Sequence, residues 1–223
     1  MQILKTSDGS NTIYLPELNE QYHSVNGALT ESEYVYIEKG FVRHPDKKQK
    51  VFEVGFGTGL NCLLTALNAE QLEKPTKYIA IEKYPLEKNI IEQLNYGKLI
   101  SENAQKIFEI IHDCAWNSEV RITDYFTLYK IHGDLLNFDF KEIDNCTVIY
   151  FDAFGPDKQP EMWSPQVFSK ISGAISTGGI FVTYSAKGEV RRQLLACGFD
   201  MERLPGPPGK KEMLRGIKKE SKI

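Results

Sequence analysis

Cysteine is scarce in this chain: Cys62, Cys114, Cys146 and Cys197 are the four found in 223 residues. They lie more than thirty residues apart, with no C-x-x-C pair and no cluster of histidines and cysteines. That spacing excludes a dense disulfide framework and a zinc knuckle. It predicts reduced thiols, no bound metal and a cytoplasmic setting. Long apolar runs are missing too, since nothing approaches the roughly 18 consecutive apolar residues of a membrane-spanning helix. The opening Met1-Gln2-Ile3-Leu4-Lys5-Thr6-Ser7-Asp8 lacks the apolar centre of a secretory signal. No internal repeat or low-complexity tract occurs. There is no overall basic excess either: 27 Lys+Arg stand against 30 Asp+Glu, a net charge of -3. This argues against indiscriminate nucleic-acid binding. The charge is uneven, however. From Ala186 to Ile223 ten basic residues face five acidic ones, a balance of +5, against -8 for the 185 residues before them. Such asymmetry suits a polyanionic partner at one end, and equally a solvated basic tail.

An apolar fraction of 41% and a charged fraction of 26% are those of a soluble globular protein. The length fits one α/β domain, expected over 46–223, with a small N-terminal extension over 1–45 packed on it. The organising stretch is Val51-Phe52-Glu53-Val54-Gly55-Phe56-Gly57-Thr58-Gly59-Leu60. It begins as a short apolar run, which predicts a strand buried on both faces. Three alternating glycines let the backbone turn tightly and approach a ligand. Leu60, Leu63, Leu64 and Leu67 then form one stripe of a helix. Strand, glycine loop and helix start make the ligand-binding corner of a doubly wound sheet.

The ligand is narrowed by what the loop omits. Leu60 stands where the dinucleotide fingerprint needs glycine or alanine, and no Gly-Lys-Ser/Thr follows. Glu53, two residues ahead of Gly55, would repel a pyrophosphate but suits a cationic amino-acid end, such as the methionine part of S-adenosylmethionine. Acidic-x-G-x-G-x-G resembles the first motif of the S-adenosylmethionine-dependent methyltransferases. A tight turn without a ligand is the alternative.

Along the rest of the chain, Asn11 to Leu15 alternates as a strand or hairpin outside the main sheet. Leu29 to Phe41 reads as a helix capped by Thr30, with Glu31 on a face that can line a pocket. Tyr78 to Glu82, Cys146 to Asp152 and Ile180 to Tyr184 read as strands, Val120 to His132 as an alternating, β-rich segment, with short strands around Met201 and Met213. Helices are expected over Leu86–Leu94, Glu102–His112, Met162–Ile175 and Glu189–Ala196, and a turn at Gly178-Gly179. Glu82, Asp134 and Asp152 close strands beside the glycine loop, so they converge on one crevice. Glu53, Gly55, Phe56, Gly57, Gly59, Glu82, Asp134 and Asp152 are therefore the expected cofactor residues. Glu82 is assigned to the ribose, Asp134 to the adenine and Asp152 to the place nearest the transferred methyl.

The most specific stretch is Asp152-Ala153-Phe154-Gly155-Pro156-Asp157-Lys158-Gln159-Pro160-Glu161-Met162-Trp163. It resembles the D-A-F-x-P-x-K-x-P-x-M-W block of the MnmC-type tRNA methyltransferases, with Gly155 where fused forms often carry alanine. Further matches are His23-Ser24 with Gly27-Ala28 and Glu31-Ser32, Ser185-Ala186-Lys187-Gly188 with Val190-Arg191-Arg192, and Gly209-Lys210-Lys211-Glu212-Met213. The resemblance implies a class I methyltransferase fold. It implies S-adenosylmethionine as cofactor and, as substrate, the aminomethyl group of the modified wobble uridine in a tRNA anticodon loop. No second glycine fingerprint follows, so the stand-alone, MnmD-like form without an FAD oxidase is expected.

Methylating an amine requires a free lone pair, yet an alkylamine of pKa about 10 is mostly protonated at neutral pH. A carboxylate can take that proton, and Asp152 is the candidate, with positioning of the cofactor as its other possible role. Phe154 and Trp163 could wall or stack an extruded base, and Trp163 could equally be a core anchor. Glu31, Lys158, Lys187, Arg191, Arg192, Lys210 and Lys211 complete the expected substrate and RNA contacts. A small-amine methyltransferase, an aminopropyltransferase and a non-catalytic binding module are the other readings.

Overall fold

The computed structural model describes residues 1–220, so the last three residues of the basic segment lie outside the described residues. The chain opens with a separate antiparallel sheet of β1 (Gln2–Lys5), β2 (Asn11–Leu15) and β3 (Glu20–Gln21). A short helix α1 (Ala28–Ser32) leads into a π-helical turn over Glu33–Glu38. The main sheet contains β4 (Gln49–Val54), β5 (Thr76–Glu82), β6 (Glu119–Arg121), β7 (Phe126–His132), β8 (Cys146–Phe151), β9 (Ile175–Thr183), β10 (Phe199–Pro205) and β11 (Glu212–Lys218). Its strand order is β10-β11-β9-β8-β4-β5-β7-β6. The run from β9 to β7 is parallel, while β11 and β6 each pair antiparallel with their neighbours.

Period-two alternation explains why this sheet is covered twice. Val51, Tyr78, Val148 and Tyr150 face one side and Phe52, Ile79, Ile149 and Phe151 the other, all of them buried. Strands buried on both faces need helices on both. On the first side α2 (Leu60–Gln71) and α5 (Glu102–Asp113) contribute Leu60, Leu63, Ile107 and Ile111. The short helices α3 (Lys88–Ile91) and α4 (Tyr96–Ile100) precede α5, and Tyr96 of α4 is fully buried in the same cluster. On the second side α6 (Pro165–Ala174) and α7 (Gly188–Ala196) contribute Val167, Ile171, Val190 and Leu194. The doubly wound arrangement is the one the sequence predicts. Among the described residues, no helix is long and apolar enough to cross a membrane.

Several element boundaries differ from expectation, each for a local reason. The helix expected over 29–41 starts after Gly27, not at a Thr30 cap; Asp8 Oδ2 instead accepts from Thr30 N and Oγ1, both at 2.9 Å. It then widens, Lys39 N donating to Tyr34 O at 3.2 Å across five residues. The helix expected over 86–94 shrinks to α3, and Asn95 separates it from α4. Asn95 is drawn into tertiary bonds, accepting from Asn11 N at 2.8 Å and donating to Gly9 O at 3.0 Å. Ser164 precedes Pro165 and is extended, so the helix expected over 162–175 is split into a 3-10 turn and α6. The β-rich segment Val120 to His132 is a hairpin of β6 and β7. Gly178-Gly179 is a bulge inside β9, whose register with β8 jumps from Cys146↔Ile175 to Val148↔Ile180.

Candidate active site

The C-terminal ends of the parallel strands open into a cavity of about 1040 Å³, lined by Gly55, Glu82, Asp134, Asp152 and Tyr184 among others. Its floor depends on close backbone packing. Gly55 has φ +87, and a Cβ there would lie 2.8 Å from Asp152 O, so only glycine lets the loop cross the end of β8. Gly57 N donates to Glu82 Oε2 at 3.0 Å, and Tyr84 N to Glu82 Oε1 at 2.8 Å. The strand-end acid thus shapes the loop while each oxygen keeps a lone pair for a ligand hydroxyl. Two imidazoles fasten the same loop. His23 Nε2 lies 2.7 Å from Thr58 Oγ1 and His112 Nε2 lies 3.1 Å from Thr58 O. Burial lowers both histidines to about 4, so both are neutral at neutral pH.

Asp152 is part-buried in the cavity wall, and each oxygen has a donor. Tyr36 OH reaches Oδ1 at 2.5 Å and Asn61 Nδ2 reaches Oδ2 at 2.8 Å. Burial pushes its pKa up to about 6, opposed by the Tyr36 bond and helped by the charge of Glu31. Tyr36, itself buried and held well above the usual phenol range, keeps its proton and donates. The π-helical turn is what aims Tyr36 inward. Asn61 also donates to Glu53 Oε1 at 3.0 Å.

Glu53 does not line the cavity. It is completely buried beneath the floor, and burial raises its pKa well above the usual carboxylate range. Gly59 likewise stands outside the lining, as the left-handed residue that starts α2. Phe56, Gly57 and Phe154 line the cavity, Phe154 meeting Tyr22 edge-on at 5.1 Å. Asp134 sits at the rim in an ion pair with Lys83 at 2.9 Å, a contact that keeps its pKa low.

The expected substrate residues divide. Trp163 is in the core and out of the cavity, its Nε1 donating to Phe154 O at 2.7 Å. Lys158 lines the cavity but donates to Leu18 O at 2.8 Å and Asn19 O at 3.2 Å, holding the N-terminal sheet down. Lys187 pairs with Asp157, and Lys210 with Glu31 at 2.5 Å. Lys211 is on the lip, whereas Arg191 and Arg192 lie on α7 beyond the lining. Tyr36, Asn61 and Tyr184 were not singled out from sequence. Only Asn61 left a trace there, as a polar residue inside the apolar start of α2.

The donor set fits a cationic, nucleoside-bearing cofactor. Glu82 can meet ribose hydroxyls, and the buried, unpartnered Asn61 Oδ1 can accept from an ammonium. Residues 98–219 match the family described as S-adenosyl-L-methionine-dependent methyltransferase. The chain belongs to that family.

Among the methyltransferase's relatives is the tRNA 5-methylaminomethyl-2-thiouridine biosynthesis bifunctional protein MnmC of Pseudoalteromonas atlantica. It is 30% identical over 96% of this chain and 34% of its own length. The protein of the same name from Campylobacter hominis is 29% identical over 87% of this chain and 29% of its own. The chain spans about a third of the length of these curated relatives. The crystal structure of MNMC2 from Aquifex aeolicus superposes with a TM-score of 0.83 at 25% identity, over all of this chain and 71% of that one. Spermidine synthase from Thermotoga maritima, at 13% identity and a TM-score of 0.55, shares the fold alone.

Proposed function

We propose that this methyltransferase converts the 5-aminomethyl group of a modified wobble uridine in tRNA to 5-methylaminomethyl, acting in the cytoplasm. The observation that carries this reading is the match of nearly the whole chain to one third of bifunctional proteins named for that modification.

S-adenosylmethionine, when bound, supplies the methyl group as a sulfonium. The residues that would hold it are Gly55, Phe56 and Gly57 in the loop, Glu82 at the ribose, Asp134 at the rim and Asn61 toward the amino-acid end. Asp152, with a pKa of about 6, is mostly ionised at neutral pH and accepts a proton from the acceptor ammonium. Tyr36 and Asn61 fix the direction of its two oxygens. Phe154 and Tyr22 form an apolar wall beside it for the uracil ring. Holding the acceptor nitrogen in line with the sulfonium carbon accounts for much of the rate gain expected of such a site.

The test is mass spectrometry of nucleosides from undermethylated tRNA incubated with the protein and S-adenosylmethionine. Loss of 5-aminomethyl-2-thiouridine with matching gain of the methylaminomethyl nucleoside is expected. No change in that nucleoside, with methylation of free small amines instead, would overturn the reading.

A further inference from the structure

One ammonium already occupies this cavity. Lys210, on the loop between β10 and β11, places Nζ 2.5 Å from Glu31 Oε1 and 4.0 Å from the centre of the Tyr184 ring. The Glu31 side chain is only 7% exposed. Its Oε2 accepts from Ser24 N at 2.8 Å, while Oε1 has no hydrogen-bond partner beyond that ammonium. A buried carboxylate anchored by backbone on one oxygen, with a tyrosine face beside the other, is a recognition set for a primary alkylammonium. Glu31, Tyr184, Lys210 and Asp152 all line the same cavity.

We propose that Glu31 and Tyr184 form the subsite for the acceptor's ammonium, which Lys210 fills in the free protein and yields when substrate enters. This rests on the reading that the acceptor is a primary amine.

The exchange needs only side-chain motion. The Lys210 side chain is 31% exposed and can swing to solvent. Its backbone stays fixed, with Lys210 N donating to Pro207 O at 2.9 Å and Gly206 N to Lys211 O at 3.1 Å. Swapping one ammonium for another never leaves Glu31 buried and unpaired, a state that costs several kcal/mol. A neutral hydroxymethyl analogue would have to evict Lys210 without replacing the charge, so the swap selects amines. The selected ammonium then passes one proton to the Asp152 carboxylate, and the neutral nitrogen bonds to the sulfonium methyl as its carbon–sulfur bond breaks, leaving S-adenosylhomocysteine as a neutral thioether and the product as a secondary ammonium.

The probes are 5-aminomethyluridine, 5-hydroxymethyluridine and n-butylammonium, titrated by calorimetry into protein saturated with S-adenosylhomocysteine. In Lys210→Met, which has no side-chain ammonium to displace, aminomethyl binding should tighten about tenfold, the scale of one charge-assisted contact, with its preference over hydroxymethyl kept. In Glu31→Gln that preference should vanish. Lys210→Arg, whose forked cation grips the carboxylate harder, should weaken aminomethyl binding severalfold and serves if the methionine variant fails to fold. Wild-type behaviour in folded Lys210→Arg, or a preserved preference in Glu31→Gln, would overturn the subsite. Should n-butylammonium follow these substitutions while neither nucleoside binds, the subsite stands and the uridine reading falls.

Discussion

Asn61 and Asp152 meet on the crevice floor, where the Asn61 amide nitrogen donates to Asp152 Oδ2 at 2.8 Å and to Glu53 Oε1 at 3.0 Å. One nitrogen therefore joins a fully buried carboxyl group to one that lines the cavity. Burial drives Glu53 well above the usual range and Asp152 to about 6. Their environments separate the two: deep burial favours the protonated form of Glu53, while Asp152 is mostly ionised at neutral pH.

Asp152→Asn should lower turnover about a hundredfold or more while cofactor affinity stays within a few-fold. Single-turnover kinetics beside calorimetry separates the two. Equal losses in both would make Asp152 a cofactor ligand rather than a proton acceptor.

Tyr36→Phe should move a pH profile rather than abolish activity. The Tyr36 hydroxyl bond favours ionised Asp152, so its loss raises that pKa above about 6. Activity, which falls as pH drops and Asp152 protonates, should then begin to fall at a higher pH. An acid limb unmoved in the variant would show that Asp152 does not govern it.

Glu82→Ala should weaken binding of S-adenosylmethionine by roughly 1.5–3 kcal/mol, the value of hydrogen bonds to a charged group. Gly57 N also loses its acceptor, so the loop should loosen. Calorimetry with S-adenosylmethionine and with NAD checks this; tight NAD binding by the wild type would contradict the cofactor.

Acid should loosen the glycine loop through its two histidines. Their folded values of about 4 lie below the ordinary 6.5, so the unfolded chain binds more protons between those limits. Their contribution to stability is complete above pH 6.5 and is lost as pH falls toward 4. The thermal midpoint of a His23→Gln, His112→Gln double variant should decline less over that window than the wild type. Parallel curves would refute this.

For tRNA, Arg192 and Lys211 are exposed cations outside the ion pairs that hold Lys187 and Lys210. Replacing both by alanine should flatten the slope of log affinity against log salt by about 2, with cofactor affinity unchanged. An unaltered slope in the folded variant would exclude them as phosphate contacts.

Features encoded in consecutive residues were legible in the sequence. Apolar runs ending at Gly55, Glu82 and Asp152 mark strands and the crevice at once, because burial on both faces and a ligand-facing end share a few positions. What stayed hidden depends on partners far along the chain. Tyr36 reaches Asp152 only through a widened helical turn, and Asn95 leaves its helix for Asn11 and Gly9. A lysine paired with Glu31 looks the same in sequence as one facing a phosphate, as Lys210 shows. Trp163 lies in a block that resembles a substrate motif, yet its indole braces Phe154 from the core side.

The N-terminal sheet belongs to no part of the main sheet, yet it is built into the core: Ile13 is fully buried in the same hydrophobic cluster as Leu60 and Ile107, Asn95 and Lys158 bond to its two ends, and Tyr22 packs against the loop at Gly57. Tyr22 also meets Phe154 edge-on at the cavity, so the sheet is one wall of the crevice and not a cover laid over it. A chain cut short of its first three strands would lose the shape of the crevice together with part of its core.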